Sequence, residues 1–154
     1  MLITRETDYA LRIIRALADG KRHNVKELCE SEAVPLQFAY KILRKLMDAG
    51  LVKSVRGVNG GTELTGDLGS LTLLDIIRIT ESDSYISDCM NPGYHCTWSA
   101  KNCRKCTIHS RLCEIQQKLD QELAKLSIRD LLKTGTDTTR STPTRSSELR
   151  SSCM

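Results

Sequence analysis

The sequence predicts a mainly α-helical protein with one small β-hairpin, and three observations support this fold class. Apolar residues recur at helical spacing in residues 5–19, 36–49 and 105–126. The first two of these segments are followed by Gly20 and Gly50, and glycine commonly ends helices. A short β-branched run then meets a glycine-rich turn, the pattern of a hairpin. We therefore expect helices to carry an aliphatic core from which a hairpin extends.

Residues 1–66 are predicted to contain three helices followed by the hairpin. Asn24, with Glu27 three positions later, resembles a capping box and begins a short second helix. Pro35 suits the first turn of the third helix. The run LVKSV, the turn RGVNGG and the run TEL then form the hairpin. This order of elements is that of a winged helix-turn-helix domain.

The rest of the chain is predicted to form a connection, a long helix and a tail. Residues 67–104 contain one helix, with Thr72 as its N-cap, and then a cysteine-rich loop. Residues 105–133 are predicted to form a long helix, after which Ser127 and Asp130 cap a short terminal turn. The apolar stripe of the long helix is Ile108, Leu112, Ile115, Leu119, Leu123 and Leu126. Because a small domain has little core to cover that stripe, we expect a dimerisation helix. Residues 134–154, rich in Ser, Thr and Arg, are predicted to be disordered.

Composition restricts the class of function. The 154 residues include 27% charged residues and carry a net charge of +4, as expected of a soluble globular protein. No apolar run approaches the roughly 20 residues that span a bilayer, and the charged N-terminus lacks the pattern of a signal peptide. We therefore expect a cytoplasmic protein with no membrane partner. An enzyme is not expected, because no nucleophile–base pair, phosphate-binding loop or cofactor fingerprint is present.

Between Leu36 and Gly61, Asp48 is the acidic residue that opposes five basic ones: Lys41, Arg44, Lys45, Lys53 and Arg56. In a helix-turn-helix motif the second helix enters the major groove and touches base edges. A hairpin arginine beside glycines can contact the backbone or a narrow minor groove. A solvated helix face would explain the charge alone, but charge and architecture together favour DNA binding. The candidate contacts are Gln37, Tyr40, Lys41, Arg44, Arg56, Gly57 and Gly60.

Five of the seven cysteines are crowded into one polar segment: Cys89, Cys96, Cys103, Cys106 and Cys113. A disulfide framework is not expected, because the count is odd and a cytoplasmic compartment keeps thiols reduced. Three alternatives remain, namely an iron–sulfur cluster, a structural zinc ion and a metal-free thiol switch. A redox protein built on this loop is a further class, although no thioredoxin-like pattern surrounds it.

The segments TDYALRI, LQFAYKILRKLMDAGLVKSVRGVNGG and LTLLDIIRIT, with the cysteine loop and long helix, resemble the Rrf-two family of bacterial transcriptional regulators. The resemblance covers about residues 1–133. It implies a homodimer, expected to be a repressor, that binds a palindromic operator in double-stranded DNA. The third helix would lie in the major groove and Arg56 in the minor groove. TEL departs from the aromatic and apolar pair usual in the family, which bears on the packing of the wing.

The resemblance also implies an iron–sulfur cluster, of the two-iron or four-iron type, held by three cysteines of the loop. The expected ligands are Cys89, Cys96 and Cys106, because CTIH at 106–109 resembles the CxxH of the family. Cys103 competes for the third position, since it continues the even spacing. The fourth ligand is left open among Asp8, His109, Cys103 and Cys113. Gain or loss of the cluster would change the relative placement of two recognition helices.

Overall fold

The computed structural model describes residues 3–57, 60–81 and 84–133, and these form seven α-helices, a two-stranded sheet and one turn of 3-10 helix at Asp88–Met90. The helices are α1 (Arg5–Leu17), α2 (Val25–Glu32), α3 (Leu36–Asp48), α4 (Leu73–Thr80), α5 (Thr97–Asn102), α6 (Thr107–Lys125) and α7 (Ile128–Leu132). The strands are β1 (Val52–Val55) and β2 (Gly61–Leu64). The predicted fold class, mainly α-helical with a winged helix-turn-helix, is confirmed. The predicted disordered tail lies outside the described residues.

The helix α1 forms the centre of the core, because one of its faces is fully buried. Ala10, Ile13, Ile14 and Leu17 have no exposed surface and belong to one cluster with residues of α2, α3 and α4. Burying an aliphatic side chain of this size contributes roughly 1.5–3 kcal/mol. The position of α1 therefore determines how its three neighbours are arranged.

The helices α2 and α3 form the helix-turn-helix. Asn24 caps α2 as predicted, its side chain accepting a hydrogen bond from the Lys26 amide at 2.9 Å. Ala33 ends α2 in the left-handed conformation, with φ 52°. Pro35 is the N-cap of α3 and so lies just before its first turn. The buried face of α3 consists of Ala39, Ile42, Leu43 and Leu46, which leaves its opposite face in solvent.

The hairpin is anchored to the domain by a third segment of chain. β1 and β2 pair antiparallel, with Val52 opposite Leu64. The His23 amide donates to the Thr62 carbonyl at 2.9 Å, and the Thr62 amide donates to the His23 carbonyl at 2.8 Å. Thr62 itself is 1% exposed. The base of the wing is thus held in the core although the tip extends from it.

The end of the described chain returns to this core. Thr72 and Asp75 form the predicted capping box at the start of α4. The Ile128 amide donates to the Leu71 carbonyl at 2.8 Å, and Ile128 is fully buried. Through these contacts α7 packs beside the start of α4, so the chain returns to the core after α6.

The cysteine-rich segment and α6 lie between α4 and α7 in the chain. Two short helical pieces, Asp88–Met90 and α5, lie in the segment predicted to be an irregular loop. The predicted long helix is present as α6, and it ends at Lys125 before the separate helix α7. In the described part of the chain, no helix combines the length and the apolar character needed to cross a membrane.

Candidate DNA-binding surface and cysteine site

The outer face of α3 carries the four predicted helical DNA contacts. Gln37, Tyr40, Lys41 and Arg44 are all exposed, and they lie three or four residues apart on one side of the helix. Tyr40 is 54% exposed. Because the aliphatic face of α3 is turned into the core, these polar side chains are directed to solvent together. They form a contiguous surface that a nucleic-acid groove can contact.

The wing presents Arg56 immediately after β1, with its side chain exposed. Gly57 has φ 116°, a conformation that favours glycine, and its carbonyl accepts a hydrogen bond from the Gly60 amide at 2.9 Å. A Cβ at Gly60 would lie 2.6 Å from the Val55 carbonyl oxygen, so a side chain cannot be added without moving the backbone. Both predicted wing glycines are therefore needed for the tight turn beside Arg56.

The lysines of α3 are paired with an acidic residue of α1 that sequence spacing alone does not reveal. Glu6 Oε2 lies 2.9 Å from Lys41 Nζ, and Glu6 Oε1 lies 2.6 Å from Lys45 Nζ. Burial acts to raise the pKa of Glu6, but the hydrogen bonds and charges of Lys45 and Lys41 outweigh burial and lower it. Similarly, Lys53 pairs with Glu63 at 2.7 Å. The charge that opposes these lysines thus comes from outside their own segment of sequence.

Three of the predicted cysteine ligands line one cavity. Cys89, Cys96 and Cys106 surround a space of about 670 Å³ between the 3-10 helix, the start of α5 and the first turns of α6. All three thiols are half-buried and unpaired. His109 lines the same cavity. The structure therefore brings together residues that are separated by up to 20 positions in sequence.

Two of these thiols are positioned by the N-termini of helices. Cys96 is the N-cap of α5, and Cys106 is the N-cap of α6. The Cys106 sulfur accepts a hydrogen bond from the His109 amide at 3.5 Å. The CTIH motif thus folds into the first turn of α6, with Cys106 and His109 on the cavity side.

The His109 ring lies between two thiols. Its Nδ1 is 3.5 Å from Cys89 Sγ, and its Nε2 is 3.4 Å from Cys113 Sγ. Ser87 Oγ lies 3.3 Å from Cys89 Sγ on the other side. Ser87 was not anticipated, because a serine in a polar loop has no distinctive pattern. Cys113 faces His109 because it follows one helical turn later on α6.

Cys103 and Asp8 lie apart from the cavity lining. Cys103 is exposed and ends α5 in the left-handed conformation, with φ 46°. Asp8 pairs with Arg12 on α1 at 3.0 Å. Among the residues that the structure describes, no three His, Cys, Asp or Glu side chains are grouped so that they could hold a metal ion. The thiols lie around a space and do not converge on one point.

The remaining wall of the cavity is aromatic and basic. Tyr94 and Trp98 both line it and are each 51% exposed. Trp98 is the one tryptophan of the chain. Lys105 also lines the cavity, so a positive charge lies next to the thiols. This combination suits a bound group that is negatively charged and larger than a single ion.

A helix-turn-helix with a basic outer face, a wing and a separate cysteine cavity is the arrangement to compare with known proteins. The sequence model of the Rrf2 family, described as iron-dependent transcriptional regulators, matches residues 3–134. The chain belongs to the Rrf2 family. It is accordingly a DNA-binding transcriptional regulator and not an enzyme.

Individual relatives agree with this assignment. Protein aau3 of Rhizobium meliloti (strain 1021) is 35% identical over 95 residues, which are 60% of this chain and 62% of that protein, so less than two thirds of aau3 is covered. The HTH-type transcriptional regulator NsrR of Bacillus subtilis (strain 168) is 29% identical over 147 residues, covering 89% of this chain and 94% of NsrR. The structure of CymR, the global cysteine regulator of B. subtilis, matches with a TM-score of 0.62 and 25% identity, over 86% of this chain and 96% of CymR.

Replacing Glu6 by glutamine is expected to destabilise the protein only at pH values where the Glu6 carboxylate is ionised. Because the pKa of Glu6 is lowered in the folded state, its contribution to stability is fully present above the ordinary pKa of a glutamate and is lost as the pH falls through the lowered pKa of the folded protein. Urea denaturation should therefore show Glu6→Gln less stable than wild type at pH 7 and similar to it near pH 3.

The matched control is Glu122→Gln, which removes an exposed ion pair with Lys125 on α6. Exposed ion pairs contribute little to folding stability, so this variant should be as stable as wild type at both pH values. An equal loss of stability for Glu6→Gln at neutral and acidic pH would show that packing, and not the ion pairs, explains the effect.

Proposed function

We propose that this regulator is a homodimeric repressor whose binding to double-stranded operator DNA is modulated by an iron–sulfur cluster in the cysteine cavity. The observation that carries the proposal is that Cys89, Cys96 and Cys106 line one cavity, away from the DNA-binding face of α3. The description of the family as iron-dependent supports iron as the metal.

The DNA-binding role rests on two exposed groups of residues. On α3, Gln37, Tyr40, Lys41 and Arg44 would contact base edges and phosphates in the major groove. On the wing, Arg56 would contact the backbone or the minor groove, and Gly57 and Gly60 allow that close approach. The exposure of all five side chains supports this docking. Lys41 would exchange its pairing with Glu6 for a phosphate on binding.

The donor set of the cavity fits an iron–sulfur cluster. Cys89, Cys96 and Cys106 would supply thiolates, which are soft ligands for iron. Within one chain, His109 is the best supported fourth ligand, because its ring contacts Cys89 Sγ at 3.5 Å. Asp8 would instead be supplied by the first helix of the partner subunit. A bound cluster would supply a group that responds to redox state and to small reactive molecules. The protein contributes half-buried thiols, a neighbouring lysine and an open aromatic rim.

Zinc is the alternative metal, but the structure favours it less. A zinc ion needs four donors within about 2.0–2.3 Å of one point. In the part of the chain that the structure describes, no three such donors are grouped in that way. Thiolates that surround a cavity are better suited to a cluster, whose several iron atoms are each bound separately.

The apolar stripe of α6 supports a homodimer. Ile108 is 69% exposed and Ile115 is 53% exposed, although both lie on the stripe predicted to be covered. Gln116 is the buried residue of α6. A second copy that packs its own stripe against this one would cover both. A two-fold symmetric dimer of this kind would present two recognition helices to the two half-sites of a palindrome.

For DNA binding, Arg44→Ala and Arg56→Ala are each expected to weaken binding of a duplex selected from a random library by the wild-type protein. The expected loss is roughly 1–3 kcal/mol, about fivefold to 150-fold in Kd. The control is Lys125→Ala, which removes the same charge from α6. Fluorescence anisotropy across a salt series measures all three, and equal Kd values for all three variants would argue against this DNA-binding surface.

For the metal site, protein purified without oxygen is expected to contain iron and acid-labile sulfide in near-equal amounts. Cys106→Ala should lose both, because Cys106 lines the cavity. Cys103→Ala, which removes an exposed thiol, should retain both. Elemental analysis with a sulfide assay measures each variant.

Three other results would change the metal assignment. If Cys103→Ala lost iron and sulfide while Cys106→Ala retained them, Cys103 and not Cys106 would be the third ligand. Zinc in stoichiometric amount without sulfide would make the site structural. Neither metal nor sulfide would leave a thiol switch.

For the homodimer, Ile115→Glu is expected to shift the protein from dimer towards monomer, because it places a charge in the apolar stripe. Analytical ultracentrifugation over a range of protein concentrations measures the shift. The control Gln117→Glu adds the same charge at an exposed position two residues away. If both variants remain dimeric, another surface forms the dimer.

A further inference from the structure

Lys45 differs from the other basic residues of α3, because it is directed inward. Its side chain is 31% exposed, compared with 59% for Lys41. Lys45 Nζ lies 2.6 Å from Glu6 Oε1 on α1 and also donates a hydrogen bond to the carbonyl of Thr80, the last residue of α4. One ammonium group thus joins three helices.

The end of α4 is held by further contacts to α1. The Thr7 hydroxyl lies 2.8 Å from the Thr80 hydroxyl, and both threonines are buried. Thr7 and Thr4 each donate a hydrogen bond to Glu81 Oε1, at 2.5 and 2.6 Å. The ammonium of Lys45 also suits the negative end of the α4 dipole. Polar groups buried in this way have few alternative partners, so the end of α4 has a defined position relative to α1 and α3.

Residues 84–87, which precede Cys89 in the chain, are held against α6. Gln116 of α6, which is 6% exposed, accepts a hydrogen bond from the Ile86 amide at 2.9 Å and donates one to the Ser84 carbonyl at 3.4 Å. Ser87 then contacts the sulfur of Cys89 at 3.3 Å. Gln116 also donates to Asp120 Oδ1 at 2.7 Å, and Asp120 Oδ2 lies 3.6 Å from Arg78 Nη2 on α4. These contacts connect the Cys89 segment to α4 through α6.

We propose that Lys45 is a positioning residue for DNA recognition, which holds α3 in register with the end of α4 and so connects the recognition helix to the Cys89 segment. This inference rests on the proposed function and adds the structural link between its two sites. A movement of the Cys89 segment would reach α4 through Gln116, Asp120 and Arg78, and a shift of the Thr80 carbonyl would change the position available to Lys45. Since Glu6 binds both lysines, the position of Lys41 on the DNA face changes as well.

A role as an ordinary phosphate contact is the competing explanation for Lys45, and the two explanations differ in what a substitution does without DNA. Removing a phosphate contact leaves the free protein unchanged. Removing a positioning residue loosens the end of α4 and the segment that leads to Cys89, because Thr80 and Glu6 lose a shared partner. Amide hydrogen exchange measures local opening separately for each segment of the chain, so it can detect this loosening.

The first experiment is hydrogen exchange with mass spectrometry on full-length, metal-free protein. Lys45→Met keeps the length of the side chain and removes its charge, and it should raise exchange in residues 77–81 and 84–90 at least about fivefold. The control, Lys41→Met, removes only the other lysine bound by Glu6. It should change the exchange rates of those residues by less than about twofold. Lys45→Arg, which keeps the charge, should restore most of the protection. Unchanged exchange in both ranges for Lys45→Met would overturn the proposal.

If Lys45→Met does not fold, the link is tested from its other end. Gln116→Leu removes the side chain that holds Ser84 and Ile86, and because coupling is reciprocal it should raise exchange in residues 41–48. Faster exchange there supports the link. Faster exchange confined to residues 84–90 and α6 overturns it.

The second experiment separates this proposal from the proposed function. The Kd for the selected duplex is measured for iron- and sulfide-loaded protein and for the same protein after removal of both. Wild type should show different values. Lys45→Met should show values within about twofold of each other, and Lys41→Met should bind more weakly but keep the wild-type ratio. If wild type shows no difference, the proposed function fails and hydrogen exchange still decides the role of Lys45. If Lys45→Met keeps the wild-type ratio, the positioning role is wrong and the proposed function stands.

Discussion

The buried face of α1 determines where the two sites of this regulator lie. Its aliphatic residues are completely enclosed by α2, α3 and α4, and interiors packed in this way do not deform gradually. The N-terminal end of the same helix carries Glu6 and Thr7, and Thr4 is its N-cap; these residues bind the end of α4 and the lysines of α3. One helix thus provides the aliphatic core along most of its buried face and the polar contacts between α3 and α4 at its N-terminal end. The DNA-reading face and the route to the cysteine cavity both start from it.

Local features of the sequence predict most elements of the fold, with the short 3-10 turn at Asp88–Met90 and α5 as exceptions. Asn24, Thr72 and Ser127 begin helices because a side-chain oxygen meets an unpaired amide one turn into the helix, and this depends only on near neighbours. The glycines of the wing likewise act locally. The spacing of apolar residues predicted a long helix in the C-terminal part of the chain, and the structure has α6 there. These predictions succeeded because each depends on residues within a few positions.

Contacts between distant segments could not be predicted in this way. The pairing of Lys45 with Glu6 and Thr80 joins positions about 35 to 40 residues apart, and no local pattern marks it. Spacing alone could not separate Cys103 from Cys106, because the two residues flank the same turn. The structure distinguishes them by backbone conformation, since Cys103 ends α5 with φ 46° while Cys106 begins α6 with φ −76°. The turn between the two helices directs one thiol to solvent and the other to the cavity.

The position of Trp98 has a practical consequence for studying this protein. The chain has one tryptophan, and it stands half in solvent at the rim of the cysteine cavity. When tryptophan is excited selectively over the four tyrosines, the emission therefore comes from an indole ring next to the proposed cofactor site, with no contribution from an indole in the DNA-binding core. A coloured group in the cavity would quench that emission by energy transfer. The natural chain thus carries its own optical probe, which can follow filling and emptying of the cavity in real time without an attached dye.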